Sequence, residues 1–365
     1  MNRSGLLSFL SSVLVVILGL LIGFIVLLVT NASQAVPALT TILTFGVRSM
    51  RNIGDVLLHG TPIILTGLSV AFAFKTGLFN IGASGQFIFG AFVAVVISIH
   101  GTFLPPPVRI FAAILGAALA GALWAALPGL LKAYRNVHEV ISSIMTNYIA
   151  MFFVVYMIQS TDSLFHRQLA TSAHLPESSN LPRFFFENIF RDQLGAGFIS
   201  SRVNIGIIIA IVLAIVVYIV LEKTTFGYEL KACGFNQDAA KYAGINQKRN
   251  IVLSMMISGS LAGIGGALNF MRGGGVGISI IETLPMEGFT GISVAFLGLN
   301  HPIGIIFSGI FISYMQLGGA RLQTYGFSSE LVETVIAVII YFCAFVFVTK
   351  SMIGRFINKK KEGGK

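Results

Sequence analysis

Charge is scarce in this chain. Asp, Glu, Lys and Arg make up 10% of its 365 residues, where a soluble domain carries about 25%. Hydrophobic residues reach 55%, and the mean hydropathy is +0.86. Those figures exclude a soluble globule and a single anchored soluble domain, and they describe a polytopic membrane protein. Cysteine is scarcer still. Cys233 and Cys343 stand far apart in different kinds of segment, which excludes a disulfide framework and a Cys-rich metal site. The chain also lacks Gly-x-Ser-x-Gly, His-Glu-x-x-His and a Walker motif, so it carries no hydrolase, metalloprotease or P-loop signature. The net charge of +10 does not point to nucleic acid. Its densest run is Lys359, Lys360 and Lys361, followed by Lys365, and a basic tail beside a membrane reads as topology.

What the sequence does contain is a series of apolar runs. Ten segments, near 10–30, 61–74, 80–99, 109–131, 140–159, 203–221, 251–271, 286–299, 303–319 and 331–349, are predicted as spans, since a crossing helix uses roughly 20 apolar residues. The predicted fold is therefore an all-α membrane domain over 1–365 with about ten transmembrane helices and both termini cytoplasmic. The runs at 61–74 and 286–299 are short and adjoin Gly-rich sequence. Short or broken helices are where a bundle exposes backbone polar groups to a cavity. The 40 glycines suit close helix packing, because lipid removes the usual hydrophobic drive and small residues let backbones approach. With the N-terminus inside, 15 basic residues fall on the inner side and nine on the outer, and every lysine is inner.

Two hydrophilic stretches stand out on opposite faces. The outer one, 161–202, mixes both signs of charge and could offer a docking surface or be a plain solvated loop. The inner one, 222–250, contains a compact helix signal. Asn236 suits the N-cap, Asp238 sits where the macrodipole favours an anion, and Gly244 suits C′, so a helix of about two turns is predicted between them. So short a helix is marginal alone and needs packing or a partner.

Three stretches together carry a family resemblance. Gly77-Leu78-Phe79-Asn80-Ile81-Gly82-Ala83-Ser84-Gly85-Gln86 resembles the Leu-Phe-Asn-Ile-Gly-x-x-Gly-Gln signature of permease subunits of ATP-binding-cassette importers, in the simple-sugar and branched-chain amino-acid branch. The run from His138 to Ala150, HEVISSIMTNYIA, is similar to nucleoside-type permeases that work with a lipoprotein receptor of the basic-membrane-protein class. The run from Gly234 to Ile245, GFNQDAAKYAGI, is similar to the cytoplasmic loop that docks on the ATPase. A weaker match covers Gly288–Gly298 and His301–Gly304. Ser84 stands where the nucleoside permeases commonly have an acidic residue, and His138 where they have Asn; the resemblance still implies nucleosides as the translocated solute.

The resemblance implies a bacterial cell-membrane importer subunit, not itself an enzyme. It implies ATPase-coupling roles for Asn236, Asp238, Ala239, Ala240, Lys241 and Gly244. It implies no cofactor in this chain, with ATP and Mg on a separate ATPase. Further implied partners are a second, different permease subunit and an extracellular substrate-binding lipoprotein.

The polar residues of the apolar runs allow two readings. Asn80, Gln86 and Asn147 are neutral amides that donate and accept, which suits a path for uncharged solutes, and Ser143 lies on the Asn147 face at i−4. Equally, they could be interhelical glue. Asp, Glu and His are nearly absent from the runs. Glu139, Glu282, Glu287 and Glu333 fall at run ends, which counts against the alternative of an ion-coupled secondary transporter of small polar solutes.

Overall fold

The computed structural model describes residues 3–194, 197–343 and 345. The Lys359–Lys361 tail, the end of the last predicted run and both chain ends lie outside them. Fourteen α-helices form among the described residues, in the order α1 (Arg3–Thr30), α2 (Ala32–Thr44), α3 (Met50–Lys75), α4 (Ala83–His100), α5 (Pro106–Arg135), α6 (Glu139–Ser160), α7 (Phe186–Ile189), α8 (Gly206–Lys223), α9 (Thr225–Phe235), α10 (Gln237–Tyr242), α11 (Gln247–Phe270), α12 (Met286–Leu297), α13 (Pro302–Ala320) and α14 (Ser329–Cys343). Eight of them are long and apolar enough to cross a bilayer, while α12 stays short. The protein is a polytopic helical membrane protein.

Two boundaries differ from the hydropathy reading. The run expected at 61–74 is the C-terminal part of the 26-residue α3, which starts at Met50 under the Ser49 cap; Ser49 Oγ accepts from Asn52 N at 3.2 Å. Asn52, Asp55 and His59 look like loop residues in sequence, yet here they occupy the first turns of a crossing helix. The extra helix α2 was not anticipated. It packs beside α1 and α13.

The bundle is organised around α11, which packs against α3, α4 and α5. Small residues make that possible. Gly259 and Gly263 on α11 face Ala117 and Gly121 on α5, and Gly263 also meets Gly90 of α4. Backbone touches backbone along this seam. This is the small-xxx-small arrangement by which membrane helices gain dispersion contact without a hydrophobic drive.

The two hydrophilic stretches cap opposite ends of α3. At its Met50 end, Ser201 Oγ donates to Asp55 Oδ1 at 2.6 Å. At its Lys75 end, Gly234 lies against the 75–77 corner. Between Asp55 and Lys75 the helix rises roughly 30 Å. Segment 161–202 is a folded cap rather than a floating loop. It holds two small antiparallel hairpins and α7. Its backbone bonds the chain beyond α11, with Leu181 N donating to Met271 O at 2.9 Å and Ser172 N to Ile278 O at 2.8 Å. Arg109 at the start of α5 donates to Ser178.

Candidate translocation site and coupling surface

The loop between α3 and α4 does not stay at the membrane face. The chain turns at Gly77, whose φ of +75° favours glycine, and it packs against Gly234, where a Cβ would strike the Lys75 carbonyl. It then climbs back into the bundle. Asn80 Nδ2 donates to Ser258 Oγ of α11 at 2.7 Å, and Ser258 Oγ lies 3.0 Å from Ser69 Oγ. Ser69 stands six residues above Lys75, roughly 9 Å along α3. Helix α4 therefore begins inside the protein.

A helix that starts in the interior leaves unpaired N–H groups. Gly82, at the cap position, has no side chain to accept them. Asn147 of α6 takes that role from outside the helix. Its Oδ1 accepts from Gly85 N at 2.8 Å, and its Nδ2 donates to Ile81 O at 3.0 Å. Asn80 and Gln86 close a reciprocal pair, with Asn80 Nδ2 donating to Gln86 Oε1 at 2.8 Å and Gln86 Nε2 to Asn80 Oδ1 at 3.0 Å. All three amides are buried. Ser143 packs against Gly82, and its hydroxyl finds no partner among the described residues. The structure thus brings the four sequence-chosen polar residues into one cluster around the broken start of α4.

This geometry makes a direct test of Asn147. Asn147→Leu strands two buried backbone groups, each worth about 1–3 kcal/mol. The solubilised protein should melt earlier, while uptake per folded complex stays near wild type. Unchanged melting with lost uptake would instead put the amide in contact with the solute.

Helix α12 is the second interrupted element. Ser84 Oγ donates to Pro285 O at 3.0 Å, so α12 starts beside the interior start of α4. Thr66 Oγ1 donates to Glu287 O at 2.8 Å. Thr66 is roughly 14 Å from the Lys75 end of α3, inside a hydrocarbon core of about 30 Å. Glu287 is therefore deep, which corrects its expected place at a run end. The polar residue before a short run looked like a boundary, but the preceding chain descends into the bundle. Glu139 does sit at the start of α6, where it pairs with Lys132 at 2.9 Å.

At the opposite end from the 161–202 cap, α9 and α10 form a surface layer. Asn236 Oδ1 accepts from Ala239 N at 3.0 Å. Ile245 N donates to Ala240 O and Gly244 N to Lys241 O, both at 3.0 Å, with Gly244 at φ +80°. That pair of bonds is a Schellman cap, so the short helix forms between the two signals legible in the sequence. Asp238, Ala239 and Lys241 point outward, whereas Ala240 is buried beneath the helix. Two large side chains flank it without cover: Tyr242 is 94% exposed and Phe235 91%. Neither exposure is legible in the sequence.

The same chain can be set beside known proteins. The family model for the branched-chain amino acid transport system / permease component matches residues 52–357. The chain belongs to that family. Among curated relatives it is 37% identical over 359 residues to the guanosine ABC transporter permease protein NupP of Bacillus subtilis, covering 95% of each chain. It is 34% identical to the nucleoside ABC transporter permease protein NupB of Lactococcus lactis, over 93% of this chain and 91% of that one. A second Bacillus subtilis permease, the guanosine ABC transporter permease protein NupQ, is 26% identical over 71% of this chain and 79% of its own.

Proposed function

We propose that this chain is the membrane subunit of an ATP-driven importer of nucleosides in a bacterial cell membrane. The observation that carries the proposal is the near full-length similarity to permeases named for guanosine and nucleosides. The chain offers a surface for the engine it needs: a capped helix between two bare aromatic residues, which are costly to leave in water and suited to a protein groove. ATP and Mg would act on the separate ATPase. In this reading Asn236, Asp238, Lys241 and Gly244 shape and cap the docking helix, Ala239 faces the ATPase, and Ala240 anchors the helix to the permease.

Segment 222–250 is then cytoplasmic and 161–202 extracellular, in keeping with the inner lysines. The outer cap would receive a lipoprotein that delivers the solute. The existence of two permeases named for guanosine in Bacillus subtilis supports a second, different permease as the other half. A movement at Asn236 would reach the interior through Gly234 against Gly77, and from there to Asn80 and the start of α4. Asn147, Asn80, Gln86 and Ser143 then act on the path indirectly, by holding the interrupted helices that border it.

The complex tests this reading. Purified by a tag on this chain, it should retain an ATPase whose hydrolysis rises when nucleoside-loaded receptor is added. Retention of no ATPase, or hydrolysis indifferent to loaded receptor, would contradict it.

A further inference from the structure

A cavity of about 200 Å³ opens among α3, α11, α12 and α13. Its polar lining comes from His59, Asn269, Arg272, Glu287, Thr290 and Gln316. His59 lies roughly 24 Å from the inner end of α3 and 14 Å from the outer, so the cavity sits within the depth of the hydrocarbon core. Ionisable groups at such depth are costly and mark solute paths. Glu287 and Arg272 share this lining, yet no ion pair within 4.0 Å joins them among the described residues. The one polar contact to the Glu287 carboxylate given by the described residues is long: Asn269 Nδ2 donates to Oε1 at 3.4 Å. Opposite charges at this depth still attract across the gap, but without contact each is left short of the hydrogen bonds that offset its burial, and a polar bridge can supply them.

The chemistry of the bridge can be narrowed. A carboxylate only accepts, and a guanidinium only donates. The fitting solute is neutral overall and carries adjacent donors on one edge and adjacent acceptors on another. It also needs a flat face to lie against Pro62, Ile63 and Met286, the apolar part of the lining. Guanine meets all three conditions: N1–H and the 2-amino group are its donors, while O6 and N7 form the acceptor pair that arginine forks recognise. Adenine has no such paired donor edge.

We propose that this cavity is a waypoint for the base of a guanine nucleoside, Glu287 accepting from its N1–H and 2-amino edge and Arg272 donating to O6 and N7. The proposal rests on the importer reading and names its solute class. Asn269 and Gln316, able to donate and accept, serve the remaining edges and the sugar.

Thiol protection tests it without transport. With Cys233 and Cys343 replaced, Thr290→Cys places a thiol in the cavity wall of the receptor-free permease–ATPase complex. Guanosine should slow its alkylation by a maleimide roughly tenfold, a difference of about 1.4 kcal/mol, and adenosine should not. Adding Glu287→Gln should abolish protection, read as the ratio of rates with and without guanosine in that same variant. Equal protection by adenosine, no protection by guanosine, or protection indifferent to Glu287→Gln would each overturn the proposal. Guanosine uptake by the wild-type complex with an unprotected thiol would sink this site and spare the importer reading; absence of any nucleoside uptake would sink both.

Discussion

Gly263→Leu should leave almost no folded protein in the membrane. A Cβ at this position would collide with the Ala117 carbonyl, and the Gly121 backbone lies just beyond. Backbone cannot rotate out of the way as a side chain can, so α5 and α11 would have to separate. Overpacking typically costs about 1–3 kcal/mol when side chains yield; here the cost should exceed that and approach the whole stability of about 5–15 kcal/mol. Gly116→Ala is the control. Its added methyl meets the flexible ends of Ile97 and Val93, and folded yield should fall little. The monodisperse fraction after solubilisation measures both. Wild-type yield for Gly263→Leu would mean that α5 and α11 do not meet through this seam.

The second large effect is expected at the aromatic pair beside α10. Tyr242→Asp combined with Phe235→Asp should cut ATPase association and transport by a factor of about 30 to 1,000. That range corresponds to a loss of about 2–4 kcal/mol at an interface centre. The folded yield should hold, because both side chains are exposed in the permease alone. Ala240→Asp is a poorer probe, since it buries an unpaired carboxylate under α10 and damages the permease itself. Full association of the double variant would move the docking surface elsewhere.

Local signals were legible wherever chemistry acts over a few residues. Asn236 and Gly244 marked the ends of α10, because a side-chain cap and a left-handed glycine need only their immediate neighbours. The short run at 286–299 likewise emerged as α12. Long-range arrangement was not legible. Hydropathy ended the second span near residue 61, because polar Asn52, Asp55 and His59 look like solvent residues. In the fold, Ser201 donates to Asp55 from another segment, Asn52 donates to the Phe45 carbonyl, and His59 bonds the Asp55 carbonyl of its own helix.

The amide cluster shows the same limit. Burial demanded partners for Asn147, and the sequence could not say that they are backbone groups of residues 81 and 85. The cavity was missed for a related reason. Glu287, Arg272 and His59 belong to different helices and links, and hydropathy placed each at an edge. Only the descent of residues 280–285 towards Ser84 brings the carboxylate to mid-depth.

The most direct measurement is nucleoside uptake into proteoliposomes. They would hold this chain, its second permease and its ATPase, with ATP sealed on the ATPase side and loaded receptor on the other. The account predicts accumulation of guanosine above its outside concentration, dependent on hydrolysable ATP and unaffected by collapse of proton and sodium gradients. Accumulation that follows an ion gradient and ignores ATP would contradict it.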